Sequence, residues 1–174
     1  MNTTITIRHL RPDDAAAYAA FRRAALLDSP MSFMSSPEDD SACSAETVRE
    51  RLQHGPPNSV IIGAFAPELV GTLGLYRDGH LKAAHKVHLW GIHVLPTHRR
   101  QGIGARLIEA AIQHARSIPG IAIVRLSVSS TAPNAQRVYE RAGFRVWGTE
   151  PDSVRHNGQS ATEYHMILQL GSAT

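Results

Sequence analysis

The residues best suited to chemistry lie between Val94 and Ala105, where Arg99, Arg100, Gln101, Gly102, Ile103 and Gly104 follow one another. An apolar strand ends there, a short polar loop turns, and a helix opens on two glycines. The first turn of a helix has N–H groups without partners and carries partial positive charge. Such a turn binds anions, phosphate most naturally. Glycine lets a phosphate approach the backbone, and Arg99 and Arg100 add full charges. The run is not the Gly-x-x-x-x-Gly-Lys-Ser/Thr of nucleotide-hydrolysing loops. It also lacks the third glycine and the acidic residue of a dinucleotide site. The plainer alternative is a helix that opens on glycine after a strand, with its arginines in solvent.

These groups need elements to hold them. Thr4 to Ile7 alternates as a short strand. Leu10 to Asp14 reads as a helix start, with Pro12 in the first turn and two aspartates at the positive end of the dipole. Tyr18, Phe21 and Ala25 give that helix an apolar face, and Ser29-Pro30 stops it. Residues 29–44 read as a mobile loop. A second helix follows Ser44, with Val48 and Leu52 on one face, and Gly55-Pro56-Pro57-Asn58 ends it. Val60 to Ala66 and Val70 to Tyr76 form a hairpin around Pro67-Glu68. Lys86 to Val94 is a strand with His88, Trp90, Ile92 and Val94 on one face. Gly102 to Arg116 is a strong amphipathic helix carrying Ile103, Leu107, Ala110 and Ala111. Ile121 to Val128 reads as a strand buried on both faces. Asn134 to Ala142 is a short helix closed by Gly143. Phe144 to Gly148 and Thr162 to Leu170 are the last strands, with Asp152 to Gln159 a polar loop between them. The tail Gly171 to Thr174 is expected to fray. No linker divides this order, so residues 1–174 are expected to form one α/β domain with a mixed sheet.

Composition limits the function classes. A chain of 174 residues that is 43% hydrophobic and 19% charged is globular rather than disordered. No apolar run is long enough for a membrane span, and the N-terminus shows no basic region followed by an apolar block. The single cysteine, Cys43, excludes a disulfide framework and a cysteine-rich zinc site, and suits a reducing cytoplasm. The net charge of +3 is mild and its basic residues are scattered, so no nucleic-acid partner is expected.

Two stretches together resemble the GCN5-related N-acetyltransferase superfamily. Arg99 to Gly104 matches its acyl-coenzyme A motif, Arg/Gln-x-x-Gly-x-Gly/Ala. Asn134-Ala135-Gln136-Arg137-Val138-Tyr139-Glu140-Arg141-Ala142-Gly143-Phe144 matches its second signature, with the alanine one position after Asn134. The element order also fits, so the resemblance covers nearly the whole chain and is weakest over residues 29–58.

The resemblance implies a mostly antiparallel sheet flanked by helices, with two central parallel strands splayed to hold acetyl-coenzyme A. The pantetheine arm would pair with the backbone of Ile92, His93 and Val94. The pyrophosphate would sit on the amides of Arg100, Gln101, Gly102, Ile103, Gly104 and Ala105. Ser127 and Val128 would line the other side of the splay, and Asn134 would hydrogen-bond the arm. A neutral primary amine would attack the thioester directly, and a backbone N–H near Val94 would stabilise the oxyanion. Tyr139 matches the general acid that protonates the leaving thiolate. The base in several members is a glutamate eleven residues before the motif arginine, where this chain has His88. Histidine can serve, with a water chain as the main competitor.

Other residues allow other readings. His85, His88, His93 and His98 cluster in sequence, but strict alternation turns His85 from His88 and His88 from His93, and no His-Glu-x-x-His is present, so no metal is expected. Cys43 reads as a free thiol. Glu38, Asp39, Asp40, Glu46 and Glu50 form either an acidic lip for a cationic amine or a solvated loop. Met31, Phe33 and Met34 form either an adaptable apolar pocket or a cover for the core. The expected acceptor is an amine on a small molecule or peptide. A homodimer is frequent in the family, and apolar strand ends could build one. The rival function is a non-catalytic acyl-coenzyme A sensor on the same fold.

Overall fold

Apolar, β-branched runs pair edge to edge, and amphipathic runs cover them. The computed structural model describes residues 4–55 and 59–171. Its strands are β1 (Thr6–His9), β2 (Val60–Phe65), β3 (Leu69–Arg77), β4 (Lys86–Val94), β5 (Ile123–Ser129), β6 (Arg145–His156) and β7 (Gln159–Gln169). Its α-helices are α1 (Ala15–Asp28), α2 (Ala45–His54), α3 (Ile103–Ser117) and α4 (Pro133–Arg141). The strands make one sheet in the order β1-β2-β3-β4-β5-β7-β6. Every neighbouring pair is antiparallel except β4 with β5. This is the mixed, mostly antiparallel α/β domain expected from the sequence.

Each face of the sheet has its own core. On one face α3 buries Ile103, Leu107, Ile108, Ala111 and Ala115 against Leu73, Val87, Val124 and Met166. Leu107 is fully enclosed, so Leu107→Ala would cost about 2–5 kcal/mol. On the other face α1 and α2 bury Tyr18, Phe21, Ala25 and Val48 with Leu10, Ile61 and Leu69. The entry to α1 is fixed by Asp14, which accepts from the Arg11 N–H at 2.7 Å and from both Arg8 terminal nitrogens at 2.7 and 2.8 Å. Ser44 caps α2 by accepting from the Thr47 N–H.

Two irregularities shape the centre. β4 and β5 face each other only at Lys86–Ile123, Val87–Val124 and His88–Arg125, and beyond that rung neither pairs with the other. Across β3, Thr72 faces His93 while Gly74 faces Trp90, so Leu73 spans both Gly91 and Ile92. Gly91 takes this bulge at φ +59, and the Thr72 hydroxyl donates to its carbonyl at 3.2 Å.

The bulge overturns the strict alternation expected for β4. Trp90 packs with the α1–α2 core, whereas Ile92 and Val94 pack with the α3 core. His88 and His93 therefore share a face instead of opposing one another. The polar stretch from Asp152 to Gln159 is not a loop. β6 and β7 run through it and meet at Asn157-Gly158, both at positive φ, as a two-residue hairpin turn demands. β6 is the sheet's edge and mostly exposed, so it carries no apolar alternation to read. Residues 29–44 are pinned rather than loose. They hold short 3-10 turns at Pro30–Ser32 and Ser41–Cys43, and Asp40 pairs with Arg22. The expected helix stop at Pro56-Pro57-Asn58 and the tail residues 172–174 lie outside the described residues.

Candidate active site

The splay is a gap that the backbone itself makes. Alternate residues of a strand turn their N–H and C=O groups to opposite neighbours, and from Leu89 to Val94 the β5-facing set of β4 has no β5 partner. Buried backbone groups need partners, so this edge suits an extended amide-bearing chain lying between the strands. Ile92 and Val94 are half-buried and His93 is buried. Leu126 and Val128 wall the far side from within the core, and Ser127 is exposed.

The glycine loop follows directly. Arg100 and Gly102 both sit at positive φ, 62° and 74°. Gly102 is the N-cap of α3 and offers no side-chain oxygen, so the first-turn amides of Ile103, Gly104 and Ala105 are uncapped. A Cβ at Gly104 would meet nothing within 4 Å. Gly104 has ordinary helical backbone as well, so neither packing nor conformation calls for glycine there. The open space leaves room for a ligand to approach the backbone there. Arg100 and Gln101 are exposed beside this turn. Arg99 is committed elsewhere: its Nε donates to the Val94 carbonyl at 2.9 Å and its Nη2 to Asp28 at 2.5 Å. Its charge thus ties the loop to the end of α1.

Tyr139 lies on α4 and is buried, its ring edge-on to Phe144 at 6.4 Å. Burial alone pushes its phenol well above the usual range, with no charge or hydrogen bond contributing. The group is a protonated donor. Asn134 is exposed in the first turn of α4.

On the α1–α2 face, His88 stands at the rung where the splay begins, stacked on Tyr76 at 4.9 Å, with Asp78 at 3.8 Å. Partial burial, then Arg125, holds its imidazole below the ordinary range, against the pull of Asp78. It is neutral at pH 7 and able to accept a proton. Higher on the same face, His93 sits between Phe21 and Phe33, with Asp28 at 3.5 Å. Burial, then Arg99, drives His93 down to about 4. The buried Arg22 crosses above the bulge between Phe33 and Trp90, and donates twice to Asp40. Asp40 is therefore a strut and not part of an acidic lip. A cleft of about 400 Å³ opens between Arg51, Gly55, Ser59, Tyr76 and Trp90. Burial raises the Cys43 thiol, which makes it a poor nucleophile.

Sequence reading missed one group. The Ser127 hydroxyl lies 2.8 Å from His165 Nδ1, and His165 Nε2 lies 3.1 Å from Glu150. Glu163 belongs to the same cluster, its ligand atom within 4.8 Å of theirs. Both ring nitrogens of His165 are engaged in these contacts. These residues come from three strands, and only the β5–β7–β6 register joins them. The signal in the sequence was the alternation of Glu163, His165 and Ile167 along β7.

Comparison with known proteins agrees with this geometry. A mycothiol acetyltransferase of Propionibacterium freudenreichii subsp. shermanii is 28% identical over 152 residues, 84% of this chain. The chain spans 45% of that relative's length, less than half. An acetyltransferase of the GNAT family from Streptococcus pneumoniae superposes with a TM-score of 0.83 at 24% identity, covering 97% of this chain and 100% of the other. The yncA protein of Salmonella typhimurium, solved with its cofactor acetyl-CoA, superposes at 0.80 with 20% identity, covering 97% of this chain and 95% of the other. The sequence pattern of the acetyltransferase (GNAT) family runs through residues 18–144, from α1 across the splay and the glycine loop to the end of the α4 signature. With strand gap, uncapped glycine turn and buried tyrosine all inside that span, the chain belongs to the acetyltransferase (GNAT) family.

Proposed function

We propose that the chain moves the acetyl group of acetyl-coenzyme A onto a primary amine of a small molecule or peptide by direct attack. The carrying observation is the end of the β4–β5 ladder at His88–Arg125, followed directly by the uncapped α3 turn. The first supplies an edge for the pantetheine amides. The second supplies a seat for the pyrophosphate. Ile92, His93 and Val94 hold the arm through their backbone, and Asn134 holds it from α4. Arg100, Gln101, Gly102, Ile103, Gly104 and Ala105 offer their amides to the phosphates. Arg99 acts through Val94 and Asp28, keeping the loop and α1 in place.

An alkyl ammonium has a pKa of about 10.4, so the amine arrives protonated. His88, neutral and on the acceptor face, takes the first proton. The free lone pair attacks the thioester carbon, and a β4 backbone N–H near Val94 faces the oxyanion. Such a donor contributes about 3 kcal/mol. Tyr139 gives its proton to the departing sulfur. A thiolate born in the same dry gap is raised by the same desolvation that raises the phenol, which keeps the transfer feasible. The buried ring of His93 remains neutral and leaves its own backbone to the coenzyme.

The test is an amine panel (amino acids, polyamines, aminoglycosides and short peptides) assayed by release of free thiol with amide product confirmed by mass. Thiol release that depends on one amine class supports the transferase. Acetyl-coenzyme A binding with no transfer to any amine favours a non-catalytic sensor.

A further inference from the structure

A primary ammonium must shed two protons to become an amide. One leaves before attack, to free the lone pair. The second leaves the nitrogen of the tetrahedral adduct before it collapses. His88 answers for the first, at the foot of the splay.

Ser127 stands two residues beyond Arg125 on β5, on the same face of the sheet and within the unpaired stretch. Counted from the His88–Arg125 rung it is level with Trp90, just above the foot of the gap, where the acyl end of the coenzyme arm would reach. Its neighbour in the sheet is His165 of β7, and His165 in turn faces Gly148 of β6. The glycine leaves the ring room to reach Glu150, one rung on. A carboxylate only accepts, so Glu150 fixes the proton on His165 Nε2. Nδ1 is then a lone pair and accepts the Ser127 O–H. The chain of bonds runs from Ser127 outwards in one direction, and the serine oxygen keeps its own lone pairs to accept a proton.

We propose that Ser127 receives the second amine proton and passes its own to His165, with Glu150 holding the ring in the accepting tautomer. This rests on the acetyl-transfer reading above. The bookkeeping closes: the adduct nitrogen loses H⁺ to the serine oxygen as the serine proton moves to Nδ1. The adduct then collapses with loss of the thiolate, which takes the Tyr139 proton. Imidazolium at His165 returns a proton through solvent to the tyrosinate. Ser127 is the catalytic residue; His165 and Glu150 are positioning residues. The charged groups around the ring are Glu150 from β6, Glu163 from β7, and Arg125 from β5, the last beyond the Trp147 ring. The two carboxylates offset the charge that the ring gains.

The experiment compares the wild type with Ser127→Ala, His165→Phe, His165→Gln and Glu150→Gln on an amine the wild type acetylates. Melting curves establish folding, and calorimetry measures acetyl-coenzyme A affinity. The expected result is unchanged affinity with kcat lower by about 10- to 100-fold in each variant. Ser127→Ala combined with His165→Phe should be no worse than either alone. Glu150→Gln keeps size and hydrogen bonding but can donate to Nε2 and reverse the tautomer, so it should be as slow as His165→Phe. A purely structural Glu150 would be spared by that change. The wild-type kcat profile should lose an acid inflection in His165→Phe. Folded Ser127→Ala and His165→Phe proteins with wild-type kcat and pH profile would overturn the relay while leaving the transferase intact. A wild type that binds acetyl-coenzyme A but acetylates no amine would overturn the transferase reading itself, and the relay with it.

Discussion

His88 and Arg125 are the last residues to face each other across β4 and β5. Below that rung the sheet is continuous. Above it, two strands of one sheet carry unpaired edges towards each other, and the α3 turn waits at the far end. The guanidinium of Arg125 also weighs on the His88 ring from across the rung. The pair thus marks where the ladder opens, beside the histidine proposed as base.

The glycine turn can be tested without disturbing the fold. Gly104→Asp adds a side chain into open space, so the melting temperature should stay within a few degrees of wild type. The added carboxylate faces the phosphates, and acetyl-coenzyme A affinity measured by calorimetry should fall at least about tenfold, the equivalent of ~1.4 kcal/mol. Gly102→Asp should weaken binding too, with an added cost from its positive φ. Unchanged affinity in folded Gly104→Asp would remove the phosphate seat from α3.

Tyr139→Phe keeps the buried ring and deletes the hydroxyl proposed as the acid. Turnover should fall about 10- to 100-fold, with little change in the KM for acetyl-coenzyme A. The loss is partial because a thiolate is a tolerable leaving group, with a parent thiol pKa of about 8.5. Steady-state kinetics on both substrates checks this, and full activity would mean that no acid is needed or that another group supplies it.

The two histidines on the α1–α2 face should separate by pH. His88 works when neutral, so activity falls as pH drops through its depressed pKa, and His88→Ala should remove or shift that acid limb. An unaltered kcat/KM profile would hand the role to water. His93 instead affects stability. The unfolded ring takes a proton near 6.5 and the folded ring near 4. Between those values the unfolded chain binds more protons, so stability falls with falling pH. From pH 7 to pH 5 this residue should account for a loss of ~2 kcal/mol in urea unfolding. His93→Gln should flatten that slope.

Much of this was legible beforehand, and the exceptions have physical causes. α3 announces itself because it buries one continuous face. The loop glycines and the α4 tyrosine are local in sequence, and so are readable. The β4 bulge reverses the faces of Ile92 and His93, yet its signal was only one glycine inside a strand. The far half of β6 stands in water on the sheet's edge, where nothing enforces alternation, and Asn157-Gly158 was its one marker. Ser127, His165 and Glu150 could not be joined from sequence, since their contact depends on the register of three strands.

The Arg22–Asp40 strut gives a further prediction. Arg22 and Asp40 are both nearly buried and meet at 2.7 Å. Removing one partner strands a charge, so Asp40→Ala should cost about 3–5 kcal/mol in urea unfolding. Adding Arg22→Met to it should restore part of that loss. Equal stability of wild type and Asp40→Ala would mean that solvent reaches the pair freely.

The central claim is that the splay and the α3 turn hold acetyl-coenzyme A. Thermal unfolding with acetyl-coenzyme A, against ATP and NAD as controls, tests it most directly. At a ligand concentration a hundredfold above Kd the folded state gains about 2.7 kcal/mol, a rise of several degrees. That rise is expected with acetyl-coenzyme A alone, and its loss in Gly104→Asp. No shift at millimolar acetyl-coenzyme A, or an equal shift with ATP and NAD, would contradict it.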